Sequence, residues 1–167
     1  FSKKFAMTGW RLGASIGPRS ILKQMARFNI NDESCTNHFI QLALASVLAD
    51  KNDDGRNIIK RLRKRRDLSV EKLNSINGLE VPYPDSTFYL FPNVTKIMSR
   101  KGYNSLEKFR TDALINTGVS FCTREHFGSI GQHEDQKYVR FAYSGIASSK
   151  ISEGLDKFIE WINRDDV

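Results

Sequence analysis

A lysine pair and an arginine frame a segment rich in glycine and aromatic residues: Phe1-Ser2-Lys3-Lys4-Phe5-Ala6-Met7-Thr8-Gly9-Trp10-Arg11. Lysines in such a setting are ordinarily solvated. A lysine whose ammonium is partly desolvated, however, becomes a nucleophile toward carbonyl compounds and forms a Schiff base. The apolar company here reads as interior and suits that use. Arg11 in the same segment needs an anion, and phosphate is the natural partner for its planar fork.

A second arginine stands in Tyr138-Val139-Arg140-Phe141-Ala142-Tyr143-Ser144. Strand alternation puts Val139, Phe141 and Tyr143 on one face and Tyr138, Arg140 and Ala142 on the other. An unpaired arginine in so apolar a strand would cost roughly several kcal/mol. Its partner is therefore either an internal Asp or Glu, or the carboxylate or phosphate of a ligand.

Two further groups have weaker claims. Lys60-Arg61-Leu62-Arg63-Lys64-Arg65-Arg66 suggests nucleic acid, but on a helix successive residues turn by about 100° and spread the charge around the axis. No aromatic residues interleave for base stacking. A solvated helix face is the expectation, with Arg66 in the apolar seam snorkelling or paired to an acid. The stretch Cys122 to His133 holds a Cys and His126 without the order of nucleophile, base and orienter. Loop residues near a ligand are its expected use.

The elements that must position these residues can be read from pattern and punctuation. Phe5 to Pro18 reads as loop and short strand, since a helix would waste Gly9, Gly13 and Gly17. Pro18 starts a helix carrying Ile21, Leu22 and Met25, and Asn31 to Ser34 is a turn. Thr36 or Asn37 caps a helix whose apolar residues, Phe39 to Leu48, predict burial on more than one side. After a hydrophilic break at Lys51 to Gly55, a long helix runs from Asp53 to Asn77, with Gly78 as C-cap. Phe88–Phe91, Val119–Phe121 and Tyr138–Tyr143 read as strands. Ser105 caps a helix stopped by Gly118, and Ser148 or Ser149 caps the last helix. The order predicts α/β or α+β.

Composition narrows the classes. The 167 residues carry a net charge of +7, with 40% hydrophobic, 27% charged and 11% aromatic residues. One sizeable core fits this length. No apolar run approaches the roughly 18 residues of a membrane span, and Phe1-Ser2-Lys3-Lys4 lacks the profile of a secretory signal. Two cysteines, Cys35 and Cys122, suggest reduced thiols and a cytoplasmic setting. Three histidines (His38, His126, His133) and no Cys-x-x-Cys give no expectation of a metal site.

Ser2-Lys3-Lys4-Phe5-Ala6-Met7-Thr8-Gly9-Trp10-Arg11-Leu12-Gly13 resembles the cofactor-lysine signature of class I aminotransferases, the fold-type-I enzymes that use pyridoxal 5'-phosphate. In that family the Schiff-base lysine stands two residues before the aromatic, which assigns the catalytic role to Lys3. The resemblance also implies cofactor-phosphate binding by Arg11, with Ser2 near that phosphate. Pro84-Asp85-Ser86-Thr87-Phe88-Tyr89-Leu90-Phe91 resembles the family's Pro-x-Gly-x-Phe-Tyr segment, with Ser86 in place of glycine. Asn116-Thr117-Gly118-Val119 resembles a turn into a small-domain strand. The strand around Arg140 is similar to the one whose arginine binds the substrate's α-carboxylate. The helix from Asp53 to Asn77 resembles the one joining the large and small domains.

The resemblance implies an α/β fold, the C-terminal portion of the fold-type-I transferase fold. Residues 1–77 would end the large domain, with the bridging helix at 53–77, and 78–167 would form a small α+β domain. The implied activity moves an amino group between an amino acid and a 2-oxo acid, in a homodimer that engages neither nucleic acid nor membrane. The cofactor partners that lie upstream of the lysine in this family are not in this sequence, so the chain reads as a fragment. Ala14 stands where many members carry an aromatic residue. Asn29 to Cys35, where a second arginine for dicarboxylates is sought, carries Asp32 and Glu33 instead. A lyase or synthase of the same fold would use the same Lys3, Arg11 and Arg140. A non-enzymatic module binding anions through the basic helix is the remaining alternative.

Overall fold

The computed structural model describes residues 1–50 and 55–164. Contacts divide the chain into two compact units, Phe1–Lys60 and Arg61–Val167.

In the first unit the expected short strand is absent. A single 3-10 turn at Thr8–Trp10 takes its place, flanked by left-handed residues Ala6 (φ 54°) and Arg11 (φ 52°). Among the described residues this unit has no other strand to supply ladder partners. Helix α1, Arg19–Asp32, follows Pro18, which sits just outside it at φ −55° and ψ 137°. The helix absorbs Asn31 and Asp32, so the predicted turn begins later, with Ser34 left-handed at φ 61°. Helix α2, His38–Ala49, is capped by Asn37, whose side chain accepts the Phe39 N–H at 3.2 Å. Only Ile40 and Leu44 of α2 are buried, while Phe39, Leu42 and Leu48 are each more than half exposed. Burial on several sides is therefore not found within this unit. Its core is Leu12, Ile40 and Leu44, with Phe1 and Phe5 packed against them.

Helix α3, Arg56–Asn74, runs from the first unit into the second. The predicted start at Asp53 and most of the hydrophilic break lie outside the described residues. The helix ends at Asn74, three residues early, because the Asn74 side chain turns to the returning chain. Its Oδ1 accepts from Val81 N–H at 2.7 Å and its Nδ2 donates to the Val81 carbonyl at 3.0 Å. Gly78, at φ 86°, makes the reversal between them.

The second unit continues with β1 (Tyr89–Leu90), α4 (Thr95–Arg100), α5 (Leu106–Thr117), β2 (Cys122–Thr123), β3 (Val139–Ala142) and α6 (Ser148–Asn163). Helix α4 has no counterpart in the sequence expectations. Ser105 caps α5 by accepting the Lys108 N–H, and Gly118 ends it in the left-handed region. Helix α6 has Ala147 at its N-cap and no side-chain cap, so Ser148 and Ser149 instead form its first turn.

The sheet has the order β1-β3-β2, antiparallel throughout. Tyr89 pairs with Ala142, Leu90 with Phe141, Cys122 with Arg140 and Thr123 with Val139. The strand expected at Val119–Phe121 thus lies just beyond it, where β3 offers partners. One face of β3, Val139 and Phe141, is buried together with Tyr143 just beyond its end. It packs in a cluster with Leu73 of α3, Phe109 of α5, and Leu155 and Phe158 of α6. Phe109, Phe121, Phe158 and Trp161 meet in tilted and edge-on contacts at centroid distances of 5.5–6.5 Å.

Candidate functional site

The first set of candidate residues shares one loop. Phe5 N–H donates to the Phe1 carbonyl at 3.1 Å and Trp10 N–H to Met7 at 3.1 Å, folding residues 1–11 into two successive turns. Phe1, Phe5 and Leu12 anchor the loop through the small apolar cluster. Thr8 Oγ1 donates to the Ser2 carbonyl at 3.3 Å, and Arg11 Nη1 to the Thr8 carbonyl at 3.1 Å. Ser2, Thr8 and Arg11 are thereby tied together on one stretch of backbone. Lys3 and Arg11 are exposed, and Trp10 is 53% exposed, so within this unit the segment is not interior as expected. Lys4 lies with its Nζ 5.1 Å from the Phe5 ring centre.

The donors on this loop are the amines of Lys3 and Lys4, the hydroxyls of Ser2 and Thr8 and the Arg11 guanidinium, which has no acidic partner among the described residues. An amine takes a carbonyl carbon, and a hydroxyl and guanidinium together take a phosphate. That donor set fits a phosphorylated aldehyde such as pyridoxal phosphate.

The remaining candidate lies in the second unit. Arg140 projects from the face of β3 opposite the core, as the alternation requires. No carboxylate pairs with it among the described residues. Its guanidinium carbon lies 4.2 Å from the Tyr89 ring centre and 4.5 Å from that of Phe127. Its Nη2 donates to Cys122 Sγ at 3.6 Å, and its Nε is buried without a hydrogen-bond partner. Of the two partners left open by the sequence, an internal acid is not found among the described residues.

The Cys122–His133 stretch shapes these surroundings. His126 Nδ1 takes up Thr123, at 2.8 Å from its Oγ1 and 3.2 Å from its N, closing a 3-10 turn at Arg124–Phe127. Arg124 pairs with Glu134 at 2.6 Å and donates to the Gly128 carbonyl. Tyr89 and Phe127, which touch Arg140, were not singled out from sequence. Only the Phe-Tyr of the Pro84–Phe91 segment hinted at the first.

The basic cluster is divided. Lys60, Arg61, Arg63 and Lys64 are exposed. Arg65 donates to the Ser144 carbonyl, and Arg66 pairs with Asp67 at 2.8 Å and lies over the Tyr83 ring. Among the described residues no helix is long and apolar enough to cross a membrane, and no group of three acidic, His or Cys side chains is placed to hold a metal.

The sequence profile of the family described as aminotransferase class I and II matches residues 1–158. The chain belongs to that family. An aspartate aminotransferase of Sulfolobus acidocaldarius is 32% identical over 164 residues, covering 98% of this chain and 40% of the relative. An LL-diaminopimelate aminotransferase of Halothermothrix orenii is 34% identical over 156 residues, 93% of this chain and 37% of the relative. The crystal structure of an aromatic aminotransferase from Pyrococcus horikoshii superposes with a TM-score of 0.82 at 30% identity, over 95% of this chain and 40% of that one. The class I and II aminotransferase fold thus extends over nearly all of the chain, which corresponds to its C-terminal portion. The chain spans about 40% of the length of these relatives. Class I and II aminotransferases use pyridoxal phosphate.

Proposed function

We propose that the whole protein is a pyridoxal-phosphate-dependent aminotransferase acting between an α-amino acid and a 2-oxo acid. The observation that carries this reading is Arg140: a strand-borne guanidinium with no acid beside it among the described residues, in a member of this family. When bound, the cofactor supplies a conjugated ring that stabilises the charge left when a bond to the substrate α-carbon breaks. Lys3 would hold the cofactor aldehyde and, once released, move a proton at the α-carbon through its Nζ. Arg11 and Ser2 would take the phosphate. Arg140 would hold the α-carboxylate by two parallel hydrogen bonds, fixing the orientation of the α-C–H bond.

In the whole protein residues 1–77 would close the large domain and carry its bridging helix, and 78–167 would form the small one. The left-handed reversal at Gly78 supports that boundary. A cytoplasmic homodimer is the expected form, and the exposed Phe39, Leu42 and Leu48 of α2 would suit further covering.

The test is half-reaction kinetics of the full-length protein with a panel of amino acids. Arg140→Ala should bind cofactor yet lose at least roughly tenfold in kcat/KM, since a charge-assisted hydrogen bond contributes about 1.5–3 kcal/mol. Arg140→Lys keeps the charge without the fork and should recover only part of the loss. Unchanged kcat/KM in Arg140→Ala would make the residue merely structural. Release of ammonia or carbon dioxide in place of amino transfer would assign a lyase or decarboxylase instead.

A further inference from the structure

A guanidinium that has no acid to hold it among the described residues, and that is to take a ligand, needs some other restraint. Two rings provide it here. Tyr89 comes from β1, whose register with β3 places it opposite Ala142, on the same face as Arg140. Phe127 comes from the 3-10 turn at Arg124–Phe127. Both rings lie within 4.5 Å of the guanidinium carbon. A ring face attracts the cation through its quadrupole and takes up none of the N–H donors, so those beyond the one given to Cys122 Sγ stay available to a carboxylate.

Phe127 is 45% exposed, which is poor use of an aromatic side chain if hydrophobic burial were its purpose. The turn that carries it is nevertheless fastened on both sides. Thr123 and His126 close its start, and Arg124, bound to Glu134 and the Gly128 carbonyl, ties down the loop beyond its end. Phe91 meets the ring edge-on at 6.2 Å and limits its tilt. The fastening sets where one half-exposed ring stands, and that ring stands on Arg140.

We propose that Phe127 and Tyr89 are positioning residues for the substrate carboxylate, acting through Arg140, with Phe127 the one most open to adjustment. The inference rests on the aminotransferase reading above.

The experiment uses the full-length protein and the half-reaction with its best amino acid, in wild type, Phe127→Leu, Phe127→Tyr, Arg140→Ala and the double variant Arg140→Ala/Phe127→Leu. Leucine keeps bulk and removes the ring face; tyrosine restores it. Phe127→Leu should raise KM about tenfold, the scale of a partly desolvated cation–ring contact, with kcat changed by less than about twofold. Phe127→Tyr should return KM to near wild type. In the Arg140→Ala background, Phe127→Leu should add nothing, because the group it positions is gone. Three results would each overturn the proposal: unchanged KM in Phe127→Leu, an equal effect with and without Arg140, or a fall in kcat that tyrosine does not repair. If wild type transfers no amino group, the aminotransferase reading itself fails and the proposal with it; if Arg140→Ala leaves KM unchanged, Arg140 does not hold the carboxylate and the proposal falls while that reading stands. An active wild type, an impaired Arg140→Ala and a silent Phe127→Leu would remove this inference alone.

Discussion

Two regions carry the candidate residues, and they are packed to different degrees. In Arg61–Val167 a buried cluster extends from Val70 to Ile162 and includes a group of tilted and edge-on aromatic rings. In Phe1–Lys60 the buried cluster is Leu12, Ile40 and Leu44, while Ile16, Phe28 and Ile30 are 99%, 74% and 68% exposed. Burial of apolar area is the main favourable term in folding, at roughly 25 cal/mol per Å². The region with Arg140 therefore has its own source of stability, and the region with Lys3 and Arg11 has little. Arg140, proposed to recognise the carboxylate, stands on a firm sheet. The loop proposed to hold the cofactor has only a small apolar cluster of its own.

The largest effect should come from the denser region. Phe109 is fully buried among Tyr103, Phe121, Phe158 and Trp161. Phe109→Ala in the 167-residue chain should cost about 3–5 kcal/mol in denaturant unfolding. A loss below about 1 kcal/mol would mean that this core is not the chain's main support.

Native-state hydrogen exchange on the same chain gives the contrast directly. Amides of α5 and α6 should be protected up to the global unfolding free energy, and those of α1 and α2 should exchange through much cheaper local openings. Equal protection in α2 and α6 would abolish the distinction between the two regions.

The smallest effect is electrostatic and confined to the surface of the dense region. Lys150 and Lys157 hydrogen-bond Glu153 and hold its carboxyl down at about 2, from an ordinary 4.5. A lowered folded-state value favours folding above about 4.5, and that contribution fades as the pH falls toward 2. The Tm of Glu153→Gln should thus lie slightly below that of the parent at pH 6 and converge with it near pH 2. A difference that persists unchanged at pH 2 would contradict the assignment. Exposure of all three side chains keeps the effect small.

Features written in local chemistry were legible in the sequence. Ser105 and Gly118 bound α5 because a cap and a left-handed stop need only their own neighbours. The outward face of Arg140 follows from alternation alone. Helix α4 escaped because Thr95–Arg100 is too short to show a period, and it is held by Asn93, whose Oδ1 accepts from Thr95 N–H at 2.9 Å. The misplaced second strand has a related cause: a two-residue strand is set by the partner it meets, and Cys122 and Thr123 meet β3. Arg140's contacts with Tyr89 and Phe127 join three separate parts of the chain, and no local pattern could announce them. The early termination of α3 at Asn74 likewise depends on where Val81 returns.

The central claim is that the loop from Ser2 to Arg11 is a cofactor site and that Lys3 is its reactive amine. Borohydride reduction of the full-length protein, followed by peptide mapping, tests it most directly. The expected result is loss of the visible chromophore and a pyridoxyl label on Lys3, absent in Lys3→Ala. A label on Lys4, or on no lysine of this sequence, would contradict it.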